Sequence, residues 1–292
     1  MSGKNILITG ATSGIGEETA LALADLGANV TIAGRDEERC MNTLVKILDR
    51  SPEARLDFLV ADLSEISQVR NLAIEYQNRN NQLNVLVNNA GAVYIRRRVS
   101  TDGYEMTFAT NHLNYFTLTN LLLPLLEETA EQYGESRIVN VSSNAHRGVK
   151  IDFDDLQSVS NYQPMRAYSK SKLANILFSF ELARRIQASN VSVNALHPGF
   201  ISTNLGTNHN PFLKFLYRLF IHPFAKSREE GARTSVYLAS NPDVKGISGK
   251  YYADCKQTSA DLAAYDSNTA ERLWQVSADM VIKVDPTIRI QS

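Results

Sequence analysis

The chain has 292 residues, 43% of them hydrophobic and 21% charged, and a formal net charge of −1. That length holds one large domain or two small ones and buries a sizeable core without staples. The near-neutral charge offers no electrostatic footprint for nucleic acid. The two cysteines, Cys40 and Cys255, are too few for a disulfide framework and lie in no C-x-x-C motif, so a reducing, cytoplasmic setting is expected. The five histidines show no metal-ligand spacing with cysteines or carboxylates. "MSGKNILITG" enters an apolar run at once, so no signal peptide is expected. No stretch approaches the ~18 uninterrupted apolar residues of a membrane span.

The first element is the strand "NILITG" (5–10), followed by a glycine-rich turn and a helix over 14–27 that stops at Gly27, a C-terminal cap. A strand at 29–34 leads into a helix over 36–50, with Asp36 as its N-cap and Arg39 on its face. Strands at 56–62, 83–91, 136–143, 190–199 and 249–254 then alternate with helices over 64–79, 103–132, 166–188, 227–240 and 268–282. Most strands are nearly continuously apolar, as expected where both faces are covered. Such alternation predicts an α/β fold: a Rossmann-type doubly wound parallel sheet of about seven strands with helices on both faces. No linker, repeat or low-complexity tract divides the chain, so residues 1–292 read as a single domain with a late insertion at about 200–226.

The first strand runs directly into "TGATSGIG" (9–16), with glycines at 10, 14 and 16 before a helix. Backbone N–H groups at a helix N-terminus, approached closely over glycines, cradle a dinucleotide pyrophosphate. The plainer reading is a tight turn capped by Thr12 or Ser13. The second strand ends in Gly34, where an NAD-selecting carboxylate would stand, and Arg35 follows. A planar, permanently charged guanidinium suits a 2′-phosphate, which favours NADP(H). The alternative for Arg35 is a solvated surface charge.

Tyr168 and Lys172 are four apart on a predicted helix, so they share one face. A phenol titrates near ~10, and a neighbouring ammonium brings it toward acid–base service. A Tyr-x-x-x-Lys pair on its own is common and usually solvated. Here the strand "RIVNVSS" ends in Ser142 and Ser143 at the carboxyl edge of the sheet, where ligands bind. Asn111 sits in an otherwise apolar helix, and a buried amide needs partners.

The glycine turn, "NNAG" (88–91), the serine ending the fifth strand, Tyr-x-x-x-Lys and "HPG" (197–199) together resemble the short-chain dehydrogenase/reductase family over essentially the whole chain. "TDGYEMTFATNHL" (101–113), "SKLANILF" (171–178), "SGKYYADCK" (248–256) and "ERLWQVS" (271–277) resemble its retinol-dehydrogenase-like branch, whose members reduce retinal and other apolar aldehydes or ketones. The resemblance implies that Tyr168 donates the proton to the carbonyl, Lys172 holds the nicotinamide ribose and lowers the tyrosine pKa, and Ser143 bonds the carbonyl oxygen. Asn111 would bind a water linking Lys172 to solvent. Ser143 is chosen over Ser142 because the family's serine is the second of such a pair. Gly10, Thr12, Ser13, Gly14, Ile15 and Gly16 would line the pyrophosphate, with Arg35 at the 2′-phosphate. Asp62 with Leu63 would meet the adenine, Asn89, Ala90 and Gly91 the adenosine ribose side, and Pro198, Gly199 and Thr203 the nicotinamide end.

Three departures from the family pattern bear on partners. Members of this branch often carry an N-terminal membrane anchor that this sequence is expected to lack. The gap from Ser143 to Tyr168 is 25 residues, longer than in shorter members. Such an insert covers the helix faces that otherwise assemble tetramers, so a monomer or dimer is expected. "IRRRV" (95–99) follows the fourth strand; an anionic substrate or a solvated charge cluster would explain Arg96–Arg98.

The segment 210–226, "NPFLKFLYRLFIHPFAK", follows the nicotinamide side and carries Lys214, Arg218 and His222 four apart. As a lid it would place Phe212, Phe215 and Leu216 on an apolar substrate. As an interfacial helix it would make a peripheral membrane contact, and as plain core it would have no function of its own. Two alternatives to a carbonyl reductase stay open: an enzyme like the light-dependent protochlorophyllide reductases, and a non-catalytic NADPH-sensing protein of the same fold.

Overall fold

The computed structural model describes residues 1–199 and 227–291. Among them, eight strands form one sheet: β1 (Asn5–Thr9), β2 (Asn29–Gly34), β3 (Leu56–Val60), β4 (Val85–Asn88), β5 (Ser136–Val141), β6 (Val191–His197), β7 (Lys250–Ala253) and β8 (Lys256–Thr258), in the spatial order 3-2-1-4-5-6-7-8. The first seven pair in parallel, and β8 pairs antiparallel with β7 at the edge. The sequence leads to about seven strands. The eighth, Lys-Gln-Thr, is short and wholly exposed, so it carries no apolar alternation to betray it.

Successive residues of each strand feed opposite faces, which splits the core in two. Leu7, Leu86 and Ile138 join a cluster beneath helices α3 (Ile66–Arg79), α4 (106–133), α5 (Pro164–Arg185) and α7 (Ser267–Val284). Ile6, Ile8, Val85, Val87 and Val139 join a second beneath α1 (Gly14–Asp25), α2 (Glu37–Arg50) and α6 (Arg228–Ser240). Both faces are therefore dry, which is why the strands read as unbroken apolar runs.

Local signals hold where they were read. Gly27, at φ +82°, donates to Ala24 O at 2.8 Å, and Ala28 N–H reaches Leu23 O at 3.2 Å, closing α1 with a Schellman motif. Asp36 caps α2 by accepting from Arg39 N–H at 3.0 Å. Helix α4 differs from its sequence reading in one way: between Met106–Phe108 and Asn114–Tyr133 the backbone widens into a π turn over Ala109–Leu113. Asn111 lies inside it. Strand order reverses between β1 and β4, so their carboxyl ends open the crevice where α/β sheets take ligands.

Candidate active site

The floor of the crevice is closed by missing side chains. A Cβ on Gly10 would stand 2.7 Å from Ala90 Cα, and one on Gly16 would stand 2.3 Å from Asn89 Nδ2 and 2.5 Å from Gly10 O. Asn89 explains that tightness: its amide donates to Thr9 O at 3.0 Å and Gly10 O at 3.1 Å, stitching the end of β4 to the turn after β1. Thr9 Oγ1 in turn accepts from the Asn89 and Ala90 N–H groups. Asn89 and Ala90 thus shape the turn from below. Gly14, at φ +61°, faces open space, and Ser13 at the N-cap of α1 makes no side-chain cap bond. Ile15 is half-buried behind them.

At the carboxyl end of β2, a Cβ on Gly34 would meet Thr12 Cγ2 at 2.7 Å and Cys40 Sγ at 3.0 Å. No side chain fits there unless those two move. Arg35 is exposed just beyond. Arg39, read from the sequence as a residue of the α2 face, folds back one turn to donate from Nη2 to Thr12 O at 3.2 Å, bringing a second guanidinium to this end. Asp62 follows β3, with Oδ1 accepting from Ser64 N–H and Oγ, and Leu63 is buried beside it.

The other side of the crevice holds Asn111, Ser143, Tyr168 and Lys172 together. Lys172 is 3% exposed; its Nζ donates to Val141 O at 2.9 Å and lies 5.7 Å from the ring centres of both Tyr168 and Tyr115. Among the described residues no carboxylate pairs with it. Burial accordingly lowers its pKa to about 7. Lys170, two residues away, bonds Asp155 O; burial lowers its pKa as well, though Asp152, Asp155 and Glu105 act against that.

Burial raises the Tyr168 pKa, while a hydrogen bond with the Ser143 side chain works in the opposite direction. Ser143 Oγ accepts from Ala145 N–H at 3.2 Å, which leaves its own proton to donate. Ser142 is engaged elsewhere: its buried hydroxyl donates to Lys172 O at 2.7 Å. Asn111 Oδ1 accepts from Ala92 N–H at 2.7 Å, and its Nδ2 donates to Ala92 O and Ser171 Oγ, each at 3.0 Å. Both amide protons are thereby engaged, so this side chain clamps the loop after β4. Exposed Gly91 sits between: a Cβ there would stand 3.3 Å from Lys172 Nζ and 3.4 Å from Asn111 Oδ1.

Pro198 and Gly199 follow β6, with Gly199 at φ +89° donating to His197 Nδ1 at 3.0 Å. Thr203, Phe212, Phe215, Leu216 and the segment 210–226 lie outside the described residues. Of the arginine cluster, Arg97 Nε donates to Gln157 O at 3.1 Å and Arg98 stands 6.0 Å over the Tyr94 ring. Neither Ser171 nor Tyr115 is a candidate from the sequence, and Arg39 stands there only on the α2 face. Only Arg39 left a local trace, one helical turn past Arg35.

A glycine cradle at the switch point of a doubly wound sheet, with a tyrosine–lysine pair across the crevice, is the layout of a dinucleotide-dependent oxidoreductase. Residues 4–214 match the sequence model of the short chain dehydrogenase family. The chain is 44% identical to human retinol dehydrogenase 14 over 96% of its own length and 87% of that protein's. It is 41% identical to human retinol dehydrogenase 12, with coverage of 96% and 87%. It is also 40% identical to the chloroplastic short-chain dehydrogenase TIC 32 B of Brassica napus, with coverage of 94% and 88%. Among solved structures, an uncharacterised protein from Mycobacterium paratuberculosis superposes with a TM-score of 0.77 at 32% identity, covering 96% of this chain and 94% of that one. The Pseudomonas aeruginosa RhlG/NADP complex gives 0.70 at 25% identity, covering 92% and 97%.

The chain therefore belongs to the short-chain dehydrogenase/reductase family, oxidoreductases acting on CH–OH groups with a nicotinamide dinucleotide. The residues present fit such a cofactor: Gly14 opens onto free space, Gly91 is exposed beside Lys172, and Lys172 is buried without a counter-ion among the described residues. No helix among the described residues is long and apolar enough to cross a membrane.

Proposed function

We propose that the protein is an NADPH-dependent reductase, equally an NADP-dependent dehydrogenase, that interconverts an apolar aldehyde or ketone and its alcohol, with a retinoid- or lipid-like substrate. The observation that carries this reading is Lys172. Among the described residues, an ammonium enclosed with one backbone carbonyl and two aromatic faces has too few partners to keep it charged. The ribose hydroxyls of a bound dinucleotide are the missing acceptors, and Gly91 leaves room for them. When bound, the reduced nicotinamide supplies the hydride for the carbonyl carbon.

The chain's own residues do the rest. Tyr168 gives its phenolic proton to the carbonyl oxygen. Ser143 donates from its hydroxyl to the same oxygen as negative charge develops there. Lys172, recharged in the complex, stabilises the phenolate left behind. Asn111 holds Ala92 and Ser171 so that the lysine and tyrosine keep their places. Thr12, Ser13 and the turn glycines receive the pyrophosphate, and Arg35 the 2′-phosphate. Identity with proteins named retinol dehydrogenases supports the apolar substrate class. We assign the 210–226 segment the role of lid, with a peripheral membrane contact as its second role.

The segment between Ser143 and Tyr168 supports a monomer or dimer over a tetramer. Val149, Ile151 and Phe153 pack against the core, and Lys170 of α5 bonds Asp155 O. Light scattering at working concentration reads this directly. The functional test is a carbonyl panel, from short aldehydes through retinal to steroids, run with NADPH and NADH in parallel. NADPH oxidation that grows with substrate apolarity is expected. No turnover on any carbonyl, with NADPH still raising Tm, would instead make the protein a nucleotide sensor.

A further inference from the structure

Outside the groups already assigned, His146 is a buried titratable side chain next to the site with both ring nitrogens bonded. It ends the short helical turn Asn144–His146, three residues past Ser143, and is 0% exposed. Its two nitrogens face different segments. Nε2 lies 2.9 Å from Asp261 N, a backbone amide that can only donate, so Nε2 is the acceptor. Nδ1 must then carry the proton, and its partner at 2.7 Å is the carbonyl of Ser143. The Tyr251 hydroxyl, 3.5 Å from Nδ1, and the Tyr251 ring, 5.2 Å from the imidazole centre at 66°, close the remaining side.

The segment reached through Nε2 is itself clamped to the serine loop. Asp261 accepts from Gly148 N–H and from Ala263 N–H, each at 3.0 Å. Arg147 donates from Nη2 to Ser259 O at 2.7 Å. Ser143 thus has its hydroxyl held by Ala145 N–H on one side and its carbonyl held on the other by the His146 imidazole at 2.7 Å and the His146 backbone N–H at 3.1 Å.

We propose that His146 is a positioning residue for Ser143: the Asp261 amide on Nε2 imposes the neutral Nδ1–H tautomer, and the Nδ1–H bond to the serine carbonyl sets where the Ser143 hydroxyl stands. The inference rests on the reading of Ser143 as a hydrogen-bond donor to substrate. A second proton on the ring would turn Nε2 into a donor facing the Asp261 amide, and the displaced ring would lose its Nδ1 bond to Ser143. The charged groups that bear on that step are Arg147, which disfavours the imidazolium, and Asp261, which favours it; Tyr251 packs on the ring, with Tyr265 and His197 near Tyr251. Burial, the largest influence, lowers the His146 pKa below the ordinary imidazole range, so the Nδ1 bond to Ser143 holds at neutral pH.

The test uses the full chain with NADPH and whichever carbonyl in the panel is turned over. His146→Asn keeps a donor near Nδ1 and loses the acceptor at Nε2. His146→Gln keeps an acceptor near Nε2 and loses the donor to Ser143. Expected are a kcat for His146→Asn within about threefold of wild type and a fall of roughly tenfold to a hundredfold for His146→Gln, with NADPH Kd unchanged in both. Wild type should also show an acid limb in kcat that His146→Asn lacks. Imidazole 15N spectra of the wild type should show a protonated Nδ1 and an unprotonated Nε2. An Nε2–H tautomer, or a His146→Gln variant as fast as His146→Asn, overturns the proposal. If Ser143→Ala leaves kcat untouched, the reading of the site fails instead, whatever the spectrum shows.

Discussion

The two sides of the crevice are built on opposite principles. The nucleotide side, around β1 and β2, is closed by atoms that are not there: Gly10 against Ala90, Gly16 against Asn89, Gly34 against Thr12 and Cys40. The side proposed as catalytic, around β5, α4 and α5, is held by buried polar side chains that each grip a backbone group: Asn111 on Ala92, Ser142 and Lys172 on the strand–helix junction, His146 on Ser143. One side is intolerant of added volume. The other is intolerant of lost donors and acceptors, because each would strand a buried partner.

The largest expected effect is on the catalytic side. Tyr168→Phe should lower kcat by about 10²–10⁴ while NADPH affinity, read by fluorescence titration, stays within about twofold. Intact turnover would remove Tyr168 from the chemistry. Next comes Arg35→Ala, expected to cost NADPH about 1.5–3 kcal/mol of binding and leave NADH little changed; equal losses for both cofactors would take Arg35 off the 2′-phosphate.

Gly16→Ala sharpens the volume half of the comparison. Its methyl would press on the Asn89 amide and Gly10 O, so a loss of about 1–3 kcal/mol in urea unfolding is expected, with weakened NADPH binding. Gly14→Ala meets no atoms and should cost less through packing, with its φ of +61° as the remaining strain.

The smallest step, taken per pH unit, is electrostatic and concerns the cofactor-free protein. Lys172 titrates at about 7 when folded against 10.5 ordinarily, so between those values the unfolded chain binds more protons. Stability should therefore rise with pH across pH 7–10 from this group, by about 1 kcal/mol per pH unit, and Lys172→Met should flatten that slope. Above about pH 10 the buried phenols of Tyr168 and Tyr115, whose pKa values are raised, pull the other way. A slope that survives Lys172→Met would mean that the lysine is not desolvated.

Much of this was legible in the chain because the signals are local. The glycine turn, the Asp36 cap, the Gly27 stop and the Tyr168–Lys172 spacing each fit within a few residues. What was hidden is long-range or purely backbone. The π turn at Ala109–Leu113 leaves the apolar pattern of its helix undisturbed, and the tautomer of His146 is fixed by an amide 115 positions away. Asn111 was picked out as a buried amide in need of partners. Those partners are a loop backbone and Ser171, which spacing along one helix cannot reveal.

The three-residue strand β8 has a consequence for how molecules meet. It lies along the outer edge of β7 and turns back through Asp254 and Cys255, both at positive φ. A second copy approaching that edge finds a rung of Lys256, Gln257 and Thr258 in place of the longer ladder of β7. Lys256 adds a charge that a growing ribbon would have to desolvate. Among the described residues the sheet ends on that side in this short, charged row, a poor template for a polymer that would lengthen it strand by strand.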